Sequence, residues 1–250
     1  MFAFTALALA QIVLPPALEE WKAEIELKAG APVIISRGLP QILRTPDLET
    51  QFSRAEALSV QNSERRFILL NPALLKESAE PAVLAHELGH VWLKATGYPP
   101  PRYDPGPAGC LSIQTGDIVQ HILIRAEMDK RQIAWRPHWL ETLELALTQL
   151  LKQKPEPQPA CQSAAQLALW IDVRLSLSAA TWPRFDAFEK AMAANFPDLE
   201  IPAASLAKRL AATDLTGKIA YRQALQFTFD AVKAAALRAR DKLNSTAEPL

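Results

Sequence analysis

At 250 residues the chain is long enough to bury one substantial core, or a main domain with a smaller appendage. Hydrophobic residues make up 49% and charged residues 22%, a balance that excludes wholesale disorder. Lys plus Arg and Asp plus Glu are both 27, so the net charge of zero argues against nucleic acid or an anionic membrane as a partner.

The N-terminus, "MFAFTALALAQIVLPPALEE", is apolar from Phe2 to Ala10 and carries no charge before Glu19. It is too short for a transmembrane helix, so no stable membrane anchor is expected here. Residues 1–20 read in two ways: as a signal-like segment with Ala8-Leu9-Ala10 as an A-x-A-like cleavage site but no positive n-region, or as a buried N-terminal segment. The first reading favours an exported or periplasmic location over a cytoplasmic one.

Beyond it, "EIELKAGAPVIIS" (24–36) predicts two short strands around a Gly-Ala-Pro turn, and "ALSVQNSERRFILLN" (57–71) a hairpin whose second strand is Arg66 to Leu70. From Glu80 the apolar spacing becomes helical and predicts helices near 80–95, 116–133, 138–153, 163–178, 183–194, 203–212 and 218–242. Cys110 and Cys161 lie in proline-rich stretches, where they form a disulfide in an oxidising compartment or stay two buried thiols. "KQKPEPQPACQS" (152–163) has the composition of a linker or loop and separates a domain at 21–151 from a helical region at 164–250.

The chemistry sits in "VLAHELGHVWLKATG" (83–97). Residues four apart share a helix face, so His86 and His90 can present imidazole nitrogens to one ion. Glu87 is rotated by about 100° from His86, beside the ligands and not in line with them, where a general base must stand. Val83, Leu84, Val91, Trp92 and Leu93 make this helix apolar enough to be buried, and polar groups inside it need partners. The plain alternative is a buried helix with hydrogen-bonded core histidines.

HELGH on an apolar helix, preceded by "RRFILLNPALLKES", resembles the active helix and preceding edge strand of small bacterial zincin metallopeptidases, over about residues 55–130. The resemblance implies zinc-dependent peptide hydrolysis with one Zn2+ ion, His86 and His90 as ligands and Glu87 as base. The metzincin branch needs a Gly and a third His within the six positions after the second His; here those positions read "VWLKAT", so that branch is excluded and the third ligand must come from further along.

Two candidates share the helix predicted at 116–133, His121 and Glu127. Zincins with a distant third ligand commonly use glutamate, which favours Glu127 by analogy. The helical wheel puts Asp117, His121, Ile124, Arg125 and Met128 on one face and turns Glu127 roughly 120° away, where it can pair with Arg131 on a solvated surface. His121 is therefore preferred, with Asp117 one turn earlier as the carboxylate that orients it; the alternative leaves Asp117 and His121 as a surface pair without metal.

Arg125, Tyr98 and Tyr103 are candidate oxyanion donors, against the simpler readings of an Arg125 pair with Asp117 or Asp129 and of loop tyrosines that pack. An exposed Arg66–Asn71 strand can bind an extended peptide by strand addition, or the strand is internal to the sheet. The helical C-terminal stripes read as core or as a face for a partner protein.

The expected protein is thus α+β, a mainly helical zincin-like fold with a small N-terminal β-sheet. Its expected activity is that of a zinc metallopeptidase acting on a peptide or protein substrate. The alternative is a zincin-fold binding or regulatory protein with a metal site and no peptidase activity.

Overall fold

The structure is a computed structural model that describes residues 12–61, 65–101, 109–153 and 158–246. It is α+β and mainly helical, with one small three-stranded sheet. The chain divides into two compact units, the first holding the residues up to Gly97 together with Glu127–Trp135, the second Tyr98–Ala126 and Arg136–Leu250.

The first unit opens with α1 (Pro16–Ala29), which starts on a proline in its first turn and stops at Gly30, held at φ 62°. Half of α1 was expected to be a strand, and the correction has a clear cause. Leu18, Trp21 and Ile25 recur at helical spacing and are all buried to 1% exposure or less. Lys22–Glu26 and Glu24–Lys28 add ion pairs one turn apart, at 2.7 and 2.6 Å.

The expected second strand is β1 (Val33–Arg37), and the expected hairpin is β2 (Ala57–Gln61) with β3 (Arg66–Leu70). Between β1 and β2 a short α2 (Pro46–Phe52) is capped by Thr45, whose hydroxyl accepts from the Leu48 N–H at 3.2 Å. The strand order is β1-β3-β2, with β3 parallel to β1 and antiparallel to β2. β3 is therefore internal, and its ladder groups are used on both sides. Phe67, Ile68, Leu69 and Leu70 are at most 2% exposed, as expected of a strand covered on both faces. Strand addition of a peptide along Arg66–Asn71 is excluded by this pairing; the outer strands of the sheet are β1 and β2.

Helix α3 (Glu80–Ala95) packs on β2, β3 and α1. Its bounds are those expected from Pro81 in the first turn and Gly97 (φ 82°) just beyond the end. Arg37 on β1 donates to Glu80 at 2.7 Å, and the Trp21 ring meets the edge of Trp92 at 6.3 Å between centroids.

The second unit is helical. Its elements are α4 (Gly109–Lys130), α5 (Arg136–Leu150), α6 (Ala160–Ser176), α7 (Phe185–Asn195), α8 (Pro197–Ala211) and α9 (Lys218–Thr246). α6 is the centre: Leu167, Trp170, Ile171 and Val173 are fully buried, against α8 and α9. Each such side chain contributes about 1.5–3 kcal/mol by burial. Cys110 and Cys161 form a disulfide between the first turns of α4 and α6. α8 begins six residues before the predicted 203, since the buried stripe Leu199, Ala203, Leu206 and Leu210 carries the helix through Pro202.

Tyr221, on α9, is fully buried, and burial pushes its phenol up to about 12. The sign of the consequence is fixed: the phenol stays neutral longer in the folded state than in the unfolded one. Its contribution is complete below the unfolded value of 10.0 and is lost as pH rises towards 12. The unfolding free energy is expected to fall over that alkaline window by on the order of 2 kcal/mol, read from denaturation curves, and Tyr221→Phe to remove most of the fall.

Candidate metal centre

Helix α3 buries Ala82, Val83, Leu84, Ala85, Leu88, Val91 and Leu93, which fixes the direction of the remaining face. His86 and His90, one turn apart, lie on that face. Their Nε2 atoms are 3.1 Å apart and the rings meet at 81°. Two nitrogens bound tetrahedrally at about 2.05 Å from zinc are roughly 3.3 Å from each other, so this pair is already spaced as two ligands of one ion. As a pair of neutral imidazoles they can share a hydrogen bond in one tautomer.

His121, the third expected ligand, lies on α4. Glu87 is 9% exposed, and its carboxylate has no hydrogen-bond or ion-pair partner among the described residues. A carboxylate placed so is open to a nearby cation or a reacting water.

The carboxylate that reaches His121 is Asp172 of α6, with Oδ2 3.5 Å from the His121 Nδ1. Asp117, the carboxylate expected in that role, lies one turn before His121 and is half-buried. Asp172 also receives both arms of Arg125, Nη1 to Oδ1 and Nη2 to Oδ2, the second at 2.6 Å. The Arg125 guanidinium stacks over the Trp139 ring, 4.8 Å from its centroid. Burial alone would push the Asp172 carboxyl up, but Arg125 and His121 outweigh it and hold it down at about 2. The carboxylate is thus ionised throughout the physiological range. An imidazole whose Nδ1–H points to an anion presents Nε2 as the free donor atom, the arrangement that carboxylates impose on metal-binding histidines.

Glu127 points elsewhere. Arg131 Nε donates to it at 2.7 Å, as the i to i+4 spacing suggested, and Lys130 stands 3.6 Å away. The expected solvated surface is corrected: Glu127 is only 9% exposed, because Arg131 also reaches Glu24 and lies over the Trp21 ring at 5.0 Å.

Tyr98 donates its hydroxyl to the Thr216 carbonyl at 2.9 Å, and its ring packs edge-on against Tyr221 with centroids 4.9 Å apart. Burial and the Asp214 carboxylate push its phenol up. Tyr103 lies outside the described residues.

Asp172 is the residue that sequence reasoning missed. Its signal was present in "LALWIDVRLS", where one acid interrupts an apolar helix. A carboxylate in such a stripe must find a cation or donors inside the fold. Comparison with protein-family models, curated proteins and solved structures gives no match to this chain.

Proposed function

We propose that His86, His90 and His121 hold one zinc ion, and that the chain is a zinc-dependent hydrolase acting on peptide bonds, of the zincin type, with Glu87 as its base. The observation that carries this reading is the pair of imidazole nitrogens on α3, His86 Nε2 and His90 Nε2, 3.1 Å apart. Three histidines with a fourth position open is a common donor set of catalytic zinc. A further feature of the chain fits the ion: the Asp172 carboxylate behind His121.

Zinc, when bound, supplies a Lewis acid that polarises a carbonyl and makes water acidic near neutral pH. The chain supplies the rest. Glu87 takes a proton from the attacking water as the new C–O bond forms, and returns it to the amide nitrogen as the C–N bond breaks. Burial of Glu87 keeps bulk water from competing for that proton. Asp172 holds His121 in one tautomer and orientation. The disulfide Cys110–Cys161 supports an oxidising compartment, and with it the exported reading of the N-terminus.

A second reading is a metal-holding binding or regulatory protein without peptidase activity, whose helical C-terminal region meets a partner protein. One observation favours it. The two oxyanion candidates among the described residues have structural partners, Arg125 in Asp172 and Tyr98 in the Thr216 carbonyl. A peptidase of this chain would therefore rely on the metal for the developing negative charge.

The ligand set is tested by metal content. Elemental analysis of purified wild type and Glu127→Ala is expected to give about one zinc per chain, and His121→Ala to lose it. Loss of zinc in the Glu127 variant alone would overturn the assignment. Comparison of both variants by circular dichroism separates ligand loss from unfolding.

A further inference from the structure

The second unit contains a cavity of about 340 Å³ that the zinc reading does not use. One wall is Pro99, Pro100 and Pro101; the others come from Ser112 and Thr115 on α4 and from Arg222, Leu225, Gln226 and Phe229 on α9. The wall of prolines is pinned. A Cβ added at Gly116 would lie 2.5 Å from the Pro101 Cγ, so only glycine lets Pro101 sit so close to α4.

Two buried polar groups in this lining lack the partners their burial calls for. Ser112 and Thr115 are 2% and 3% exposed, and neither hydroxyl makes a hydrogen bond. Buried hydroxyls are nearly always paired, so two in one cavity point to a ligand or water between them. Arg222 is exposed at the same cavity and has no ion-pair partner among the described residues. Gln226 is occupied, its amide donating to Asp230 at 3.1 Å. Among the described residues no carboxylate lines the cavity.

We propose that this cavity binds a small organic carboxylate with an apolar or aromatic body. A guanidinium and two hydroxyls match the two oxygens of a carboxylate, whereas a phosphate dianion asks for more donors than the lining offers. Leu225, Phe229 and the prolines take the body of the ligand. The volume suits one side chain and not a long segment, since sites for small ligands begin at about 300 Å³. Such a carboxylate is either a free acid or the C-terminal residue of a peptide. The proposal goes beyond the zinc reading and does not depend on it.

Isothermal titration of the full chain, with a metal chelator present, separates these. The probes are N-acetyl-phenylalanine, a pentapeptide ending in phenylalanine, and the C-terminal amide of each. The acids are expected to bind and their amides to bind at least tenfold more weakly. Arg222→Gln is expected to lose a similar factor with its circular dichroism and melting temperature unchanged, the residue being exposed. Ser112→Ala with Thr115→Val is expected to weaken the acids further. Binding of both acids identifies a C-terminal residue as the ligand; binding of N-acetyl-phenylalanine alone identifies a free acid. The proposal fails if acids and amides bind alike, if neither acid binds at millimolar concentration, or if Arg222→Gln binds the acids as wild type does.

Discussion

Glu87→Gln is expected to lower peptide hydrolysis by about two to four orders of magnitude while the protein keeps its zinc. The size follows from the loss of general base and acid catalysis by one positioned group, typically 10²–10⁴-fold. The substitution keeps shape and volume on a buried face of α3 and removes only the capacity to take a proton. It breaks no ion pair or hydrogen bond among the described residues, so stability is expected to hold. The measurement pairs a general protease substrate with metal analysis on the same preparation. Hydrolysis that survives with zinc bound removes Glu87 from the mechanism. Absence of hydrolysis in wild type, with zinc bound and a protein partner retained, favours the binding protein.

The α3 motif was legible because everything it needs is local. A proline in the first turn, a glycine beyond the last and an apolar stripe at helical spacing fix the helix, and the i to i+4 spacing then fixes His86 beside His90. The hairpin of β2 and β3 was legible for a similar reason, its two apolar runs being close in sequence. Local signals failed where two periods coexist. Glu24-Ile25-Glu26-Leu27-Lys28 alternates like a strand, yet Leu27 is 85% exposed while Ile25 is buried. The stripe of Leu18, Trp21 and Ile25 outweighs the alternation because it alone buries a tryptophan.

What sequence cannot give are contacts that tertiary packing creates. The position of β3 at the centre of the sheet depends on β1 joining from beyond α2. Glu127 is buried because Arg131 is drawn to Glu24 and Trp21, residues more than a hundred positions away. Asp172 stands 47 positions beyond Arg125, and no spacing rule links them. For Glu127 and Asp172 the charge itself is legible, and the partner is set by tertiary packing.

That pairing gives the second large effect. Asp172→Ala is expected to cost about 3–5 kcal/mol in chemical denaturation, because it leaves the Arg125 guanidinium buried and unpaired. The side chains are 8% and 12% exposed, so solvent screens the pair little. Zinc affinity is expected to fall by a further 10–100-fold, since His121 loses the anion at its Nδ1. Arg125→Met separates the two roles. It is expected to cost a comparable amount of stability, leaving Asp172 with His121 alone, yet to keep zinc affinity within a few fold. Pairing Asp172→Leu with Arg125→Met is expected to recover much of the lost stability, as apolar replacements of buried ion pairs do, and to recover none of the zinc affinity. Equal losses of zinc in all three variants would mean that Asp172 serves the packing of α4 on α6 and does not orient a ligand.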